Sequence, residues 1–163
     1  MIISDCAISR RVSLSIELLT HHLLYLQVNG NRAGTTSTPG GANIEMGGPN
    51  SNHLIEFVHS SGPRSWSCLH LAEGSMNCNN AIVQNNDIGP CGSDEFQQWA
   101  DGISVSCSST VVRNNVVTDA TDGGIVVFSP FTTVEDNTIQ VVNVRLTSVH
   151  HFAGDLSLIL SSG

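Results

Sequence analysis

The sequence predicts an all-β chain, wound as a right-handed parallel β-helix of about four to five coils. Three observations carry that prediction. A short apolar alternation that ends in Asn and a β-branched residue occurs three times. A second strand type is interleaved with it at the same step. The composition favours strands and turns over helices.

The first strand type is Ala81-Ile-Val-Gln-Asn-Asn-Asp-Ile88, then Thr110-Val-Val-Arg-Asn-Asn-Val-Val117, then Thr133-Val-Glu-Asp-Asn-Thr-Ile139. Its asparagines, Asn86, Asn115 and Asn137, are 29 and 22 residues apart. The second type is Asp101-Gly-Ile-Ser-Val-Ser-Cys107 and Asp122-Gly-Gly-Ile-Val-Val-Phe128, with Ile103 and Ile125 at the same step as Asn115 and Asn137. The rhythm continues upstream through Leu24–Asn31, Asn43–Gly47, Leu54–Val58 and Ser67–Leu71, with Gly-, Pro- and Ser-rich turns between strands. One coil cannot bury its own apolar face, so coils stack Ile on Ile and Val on Val. Asn at a fixed corner stacks into an amide ladder and tolerates left-handed backbone. A sandwich of short antiparallel strands gives similar turn spacing but does not require the same residues at the same corner.

Charged residues are 12 % of the chain. Abundant Asn, Ser, Thr and Gly compete for backbone hydrogen bonds and oppose helices, while Val and Ile favour strands. Net charge is −8 and no lysine occurs; the six basic residues are Arg10, Arg11, Arg32, Arg64, Arg113 and Arg145. Phosphate and anionic lipid recognition draw on clustered cations, so nucleic acid and membrane surfaces are excluded as expected partners. No stretch reaches the roughly 18 apolar residues that span a bilayer.

Four of the five cysteines, Cys68, Cys78, Cys91 and Cys107, are candidates for two disulfides; their spacings are not those of a zinc site, and three pairings are open. Disulfides imply an oxidising, extracellular setting. The N-terminus shows no clear signal peptide, since Glu17, His21 and His22 interrupt its apolar run. Residues 1–20 read as an irregular leader or cap, 21–143 as the β-helix, and 144–163 as an atypical segment without an Asn corner. His21-His22 and His150-His151 read as surface.

The segment from Asn29 to Ile139 resembles the fungal right-handed β-helix proteins of the pectin-lyase-like superfold. The resemblance rests on Val28-Asn-Gly-Asn-Arg-Ala-Gly34, Asn43-Ile-Glu-Met-Gly-Gly48, Pro63-Arg-Ser-Trp-Ser-Cys-Leu-His70, Asn86-Asp-Ile-Gly-Pro-Cys91 and Trp99-Ala-Asp-Gly-Ile-Ser104. It implies a fold that hosts hydrolases, lyases, epimerases and non-enzymes alike. Members are usually longer, so the chain reads as a fragment or shortened version.

In polygalacturonase-like hydrolases of that superfold an Asp-Gly-Ile element carries catalytic carboxylates, and Trp99-Ala-Asp-Gly-Ile103 is similar to it. Asp101 and Asp122 are therefore the candidate pair, since carboxylates on neighbouring coils fall within the separations that glycosidases use. Asp122 stands one residue further from its Ile than Asp101 does. Both residues also suit turns, where carboxylates cap backbone N–H groups. His70, facing outward between Leu69 and Leu71, is the candidate acid/base or orienting group. Trp99 ends the longest insertion, from Asp87, and is expected to stack on a sugar; Arg113, Glu73 and Asp119 complete the expected substrate-binding set. Asp94 and Glu95 are the metal ligands only if calcium is used. No cofactor is expected otherwise.

The expected function is a monomeric, carbohydrate-active protein acting on a polysaccharide or oligosaccharide, foremost as a glycoside hydrolase. The alternatives are a calcium-dependent pectate-type lyase, a non-catalytic glycan or cell-wall binder, and an inactive truncated relative.

Overall fold

In the computed structural model, the described residues are 2–3, 7–8, 22–32, 41–72, 78–93, 95 and 98–140. Among them regular structure is all strand, with no helix. Two short N-terminal strands, β1 (Ile2–Ile3) and β2 (Ala7–Ile8), come first. The chain then runs through β3 (His22–Leu24), β4 (Gln27–Asn29) and β5 (Ile44–Gly47). It repeats that course in β6 (Leu54–Glu56), β7 (His59–Ser61) and β8 (Ser67–Ala72), and again in β9 (Ile82–Gln84), β10 (Asp87–Ile88) and β11 (Asp101–Val105). A further pass is β12 (Val111–Arg113), β13 (Val116–Thr118) and β14 (Ile125–Val127), followed by β15 (Thr133–Glu135) and β16 (Thr138–Gln140).

Each pass is one rung, and corresponding strands of successive rungs pair in parallel. The first sheet has the order β3-β6-β9-β12-β15 and the second β4-β7-β10-β13-β16, with β2 on the β4 edge. The third is β5-β8-β11-β14, with β1 on the β5 edge. Among the named strands of the described residues only β1 and β2 pair antiparallel, against β5 and β4. The sequence rhythm of two strand types resolves into three strands per rung, because each first-type segment bends at its Asn into two sheets.

The register stacks like on like. Leu23, Ile55, Val83, Val112 and Val134 form one inward column in the first sheet. Ile44, Leu69, Ile103 and Ile125 form another in the third. Except for the last member of each, these side chains are almost wholly shielded from solvent. Each such aliphatic burial contributes about 1.5–3 kcal/mol. In the second sheet Ser60 interrupts the column Val28, Ile88, Val117, and its hydroxyl is satisfied by donating to the Cys68 carbonyl at 2.9 Å.

The corner between the first two sheets uses two adjacent residues. The first takes left-handed backbone: Tyr25, Phe57, Asn85, Asn114 and Asp136 all have φ between 52° and 56°. The second turns inward, as Leu26, Val58, Asn86, Asn115 and Asn137. The predicted amide ladder is formed by the last three, with Asn86 Nδ2 donating to Asn115 Oδ1 and Asn115 Nδ2 to Asn137 Oδ1, both at 2.9 Å. The left-handed residue is thus the one before the ladder Asn, which corrects the expectation that one Asn does both.

Two disulfides, Cys68–Cys91 and Cys78–Cys107, join neighbouring rungs, and all four cysteines are buried.

Candidate functional site

The outward column of the third sheet reads Glu45, His70, Ser104, Val126 across four rungs. Strand alternation puts these side chains opposite the inward Ile44–Leu69–Ile103–Ile125 column. His70 is nearly buried despite facing outward, because the Trp66 ring leans along the strand onto it, centroids 4.7 Å apart at 60°. Its Nδ1 lies 3.8 Å from Glu45 Oε2.

Beside this pair opens a groove of about 520 Å³. Its aromatic walls are Trp66, 37 % exposed, and Phe128, 69 % exposed, so both present ring surface to solvent. Ser106, Ser108 and Ser129 supply hydroxyls along it, and Cys78 and Pro130 complete the lining. Ser129 is held by donating to the Cys107 carbonyl at 2.9 Å. Among the described lining residues His70 is the single ionisable group. Of this set the sequence singled out His70 as a candidate acid/base and Cys78 as a disulfide candidate. Strand parity was the signal available for the others: Trp66 shares the parity of His70, and Phe128 is odd to Val127.

Asp101 opens β11, 7 % exposed. Its Oδ1 accepts the Gly123 N–H at 2.9 Å and its Oδ2 accepts the Ser104 hydroxyl at 2.8 Å. Ser104 Oγ is in turn 3.1 Å from Ser67 Oγ. Burial pushes the Asp101 pKa above its ordinary 3.8, the two hydrogen bonds pull against that rise, and the charge of Asp122 adds to it. Because Ile103 pairs with Ile125, the residue across from Asp101 is Gly123; Asp122 falls one place earlier, exposed, with its N–H on the Ala100 carbonyl at 3.2 Å. The two carboxylates are therefore out of column, and Asp101 holds the next rung's backbone. Gly102 has a packing reason of its own, since a Cβ there would collide with the Val117 side chain and the Gly124 carbonyl.

These facts set a pH dependence. A carboxyl with a raised folded pKa keeps its proton in the native state after the unfolded chain has lost it. Stability from this group falls as pH rises from 3.8 through the raised folded value, then levels off. Asp101→Asn keeps the acceptor for Gly123 and removes the titration. Its stability relative to the parent chain is expected to rise across that window, which urea midpoints at a series of pH values would check. A constant difference at every pH would refute the assignment.

The remaining predicted residues are dispersed. Arg113 lies on β12 in the first sheet, its Nε on Gln84 Oε1 at 2.9 Å, away from the third-sheet column. Asp119 follows β13 with φ 47°, its N–H on the Gln140 carbonyl at 2.9 Å. Trp99, 41 % exposed, bridges Gly92 at the base of the loop. Glu95 Oε2 accepts the Gln98 side-chain amide at 2.6 Å. Glu73 and Asp94 lie outside the described residues, as do the 144–163 segment, His21 and the second His pair.

Arg32 is a positioning group the sequence reading passed over. Its guanidinium donates to the carbonyls of Pro63, Ser65 (3.0 Å) and Gln98 (2.8 Å), and burial lowers its pKa from the usual value. It ties the segment that precedes Trp66 to the one that precedes Trp99. Among the described residues no group of three or more His, Cys, Asp or Glu side chains is placed to hold a metal ion.

No family model, curated protein or solved structure matches the chain.

Proposed function

We propose that the chain forms rungs of a right-handed parallel β-helix of the pectin-lyase-like kind, and that it binds carbohydrate outside the cell in the groove between Trp66 and Phe128. The observation that carries the reading is the pairing of two exposed aromatic rings with a hydroxyl-lined groove. Apolar ring faces pack on the C–H face of a sugar while short polar groups serve its hydroxyls. Parallel strands that recur in the same order through three sheets fit the helix, for which right-handed crossovers are the rule. Two buried disulfides fit an oxidising compartment, and no helix among the described residues is long and apolar enough to cross a membrane.

The test is binding of the full chain to an array of polysaccharides, with Trp66→Ala alongside. Saturable binding, weakened roughly tenfold in the variant, is expected. Unchanged binding in Trp66→Ala would move the site elsewhere.

A second reading, a glycoside hydrolase, is favoured by the raised Asp101 carboxyl close enough to Asp122 to feel its charge. A reducing-end assay on the bound glycans, repeated with Asp101→Asn and Asp122→Asn, decides it: turnover lost in either variant supports hydrolysis, and turnover kept in both removes these residues from the chemistry.

A further inference from the structure

We infer that the groove takes an uncharged oligosaccharide chain laid obliquely across the rungs of β8, β11 and β14, rather than a polyuronate or a single sugar; this rests on the glycan-binding reading above. Charge comes first. Among the described residues that line the groove there is no Lys, Arg, Asp or Glu, and the one ionisable ring, His70, has a carboxylate behind it, Glu45 Oε2 at 3.8 Å. A sugar carboxylate would need a cation to offset the loss of its hydration. The arginines of the described residues do not supply one there. Arg32 is spent on three backbone carbonyls, Arg113 sits on the first sheet with Gln84, and Arg64 is not among the lining residues. The whole chain carries −8, which repels a polyanion at long range. Hydroxyls from Ser106 and Ser108 are instead suited to neutral sugar hydroxyls, and Ser129, whose proton goes to the Cys107 carbonyl, offers an acceptor beside them.

Length follows from the repeat. Trp66 precedes β8 and Phe128 follows β14, two strand spacings further on, which is about 10 Å along the stack. That span is wider than one sugar ring. Val127 stands over Val105 and Leu71, so Phe128 also lies further along the strand direction than Trp66, an offset that the lean of the Trp66 ring onto His70 shortens. Two rings of the same chain would occupy the two aromatic walls, with the rung of Ser106 and Ser108 between them. Each wall is a separate contact, so each should contribute to affinity, and a monosaccharide can use only one.

The experiment is calorimetric titration of the full chain with mixed-linkage glucan, galactomannan, arabinogalactan and polygalacturonate, and with the oligosaccharides and monosaccharides of whichever polymer binds. The parent chain is expected to bind at least one neutral polymer, with affinity insensitive to added salt. Trp66→Ala and Phe128→Ala should each lower it roughly tenfold. The oligosaccharide should bind at least tenfold more tightly than its monosaccharide. Binding confined to polygalacturonate but lost in Trp66→Ala would overturn the neutral-chain inference while leaving the groove as a glycan site. A monosaccharide as tight as its oligomer, or no effect of Phe128→Ala, would overturn the extended pose. No saturable binding to any polymer would overturn the site itself. Thermal midpoints of both variants close to the parent's would show that lost binding is not lost folding, as the exposure of the two rings leads one to expect.

Discussion

Replacing Asn115 by alanine is expected to destabilise the fold by about 3–5 kcal/mol, at the high end for a single substitution. The side chain is buried and bonds to both neighbouring rungs. Its Oδ1 accepts both the backbone N–H of Asn86 (3.1 Å) and the Asn86 side-chain amide (2.9 Å). Its Nδ2 donates to the Val83 carbonyl and to Asn137 Oδ1, both at 2.9 Å. Alanine strands the Asn86 donors and the Val83 acceptor where water does not reach, and each such group costs about 1–3 kcal/mol. The losses overlap, because Asn86 Nδ2 keeps its second bond to the Ile55 carbonyl at 3.0 Å. Asn137→Ala should cost much less, since its amide is only half-buried. The check is the urea midpoint of each variant at constant m-value. An Asn115→Ala midpoint like that of a surface substitution would mean that the ladder decorates the corner without holding it.

The same ladder shows how far the sequence could be read. Asn86, Asn115 and Asn137 announce their stacking because the step between them repeats and because β-branched residues follow each one. The columns through Val83 and Ile103 are legible for the same reason: inward positions keep their character from rung to rung while outward ones vary. What the periodicity hides is the sharpness of the corner. Asn85 and Asn114 look like the continuation of a strand, yet their left-handed backbone splits each segment between two sheets. On the earliest rungs the corner carries Tyr25-Leu26 and Phe57-Val58, so the Asn signal vanishes although the geometry persists; the two exposed rings stack there at 5.0 Å.

The site was less legible, for a physical reason. Its walls come from the rungs of β8 and β14, and no motif joins Trp66 to Phe128 along the chain. An Asp-Gly-Ile element is visible in one dimension, so Asp101 and Asp122 attract notice first. The one-residue difference in their distance to Ile103 and Ile125 was the clue that they leave a common column, and the pairing register bears it out. Asp101 then has a structural employment that any buried carboxylate at a rung junction would have, since it accepts from the next rung's Gly123. His70 was readable as outward from the flanking leucines, but the Trp66 ring over it was not.

Removing the disulfide Cys78–Cys107, as Cys78→Ala with Cys107→Ala, is expected to cost about 3–4 kcal/mol. The bond closes a loop whose ends are 29 residues apart in sequence, and Cys68–Cys91 closes one of 23. Each restricts the unfolded chain more than the folded one, where the parallel bridge of Asn79 with Ser108 already brings the adjacent cysteines together. The two loops overlap between Cys78 and Cys91, so they are not independent constraints. Removing both bonds should cost less than twice the single loss, but still a large part of the 5–15 kcal/mol that a domain of ordinary stability has. Burial adds a kinetic consequence: a thiol reductant cannot reach these sulfurs until the rungs part, so reduction should be slow in native buffer and fast in urea. Thermal midpoints of the two double-alanine variants and of the four-alanine chain, together with thiol-labelling rates, measure both effects. Because Cys78 also lines the groove, the Cys78–Cys107 variant should weaken glycan binding while the Cys68–Cys91 variant should not. Equal weakening in both would mean that the disulfides act through overall stability alone, and that the groove wall does not depend on which rungs are pinned.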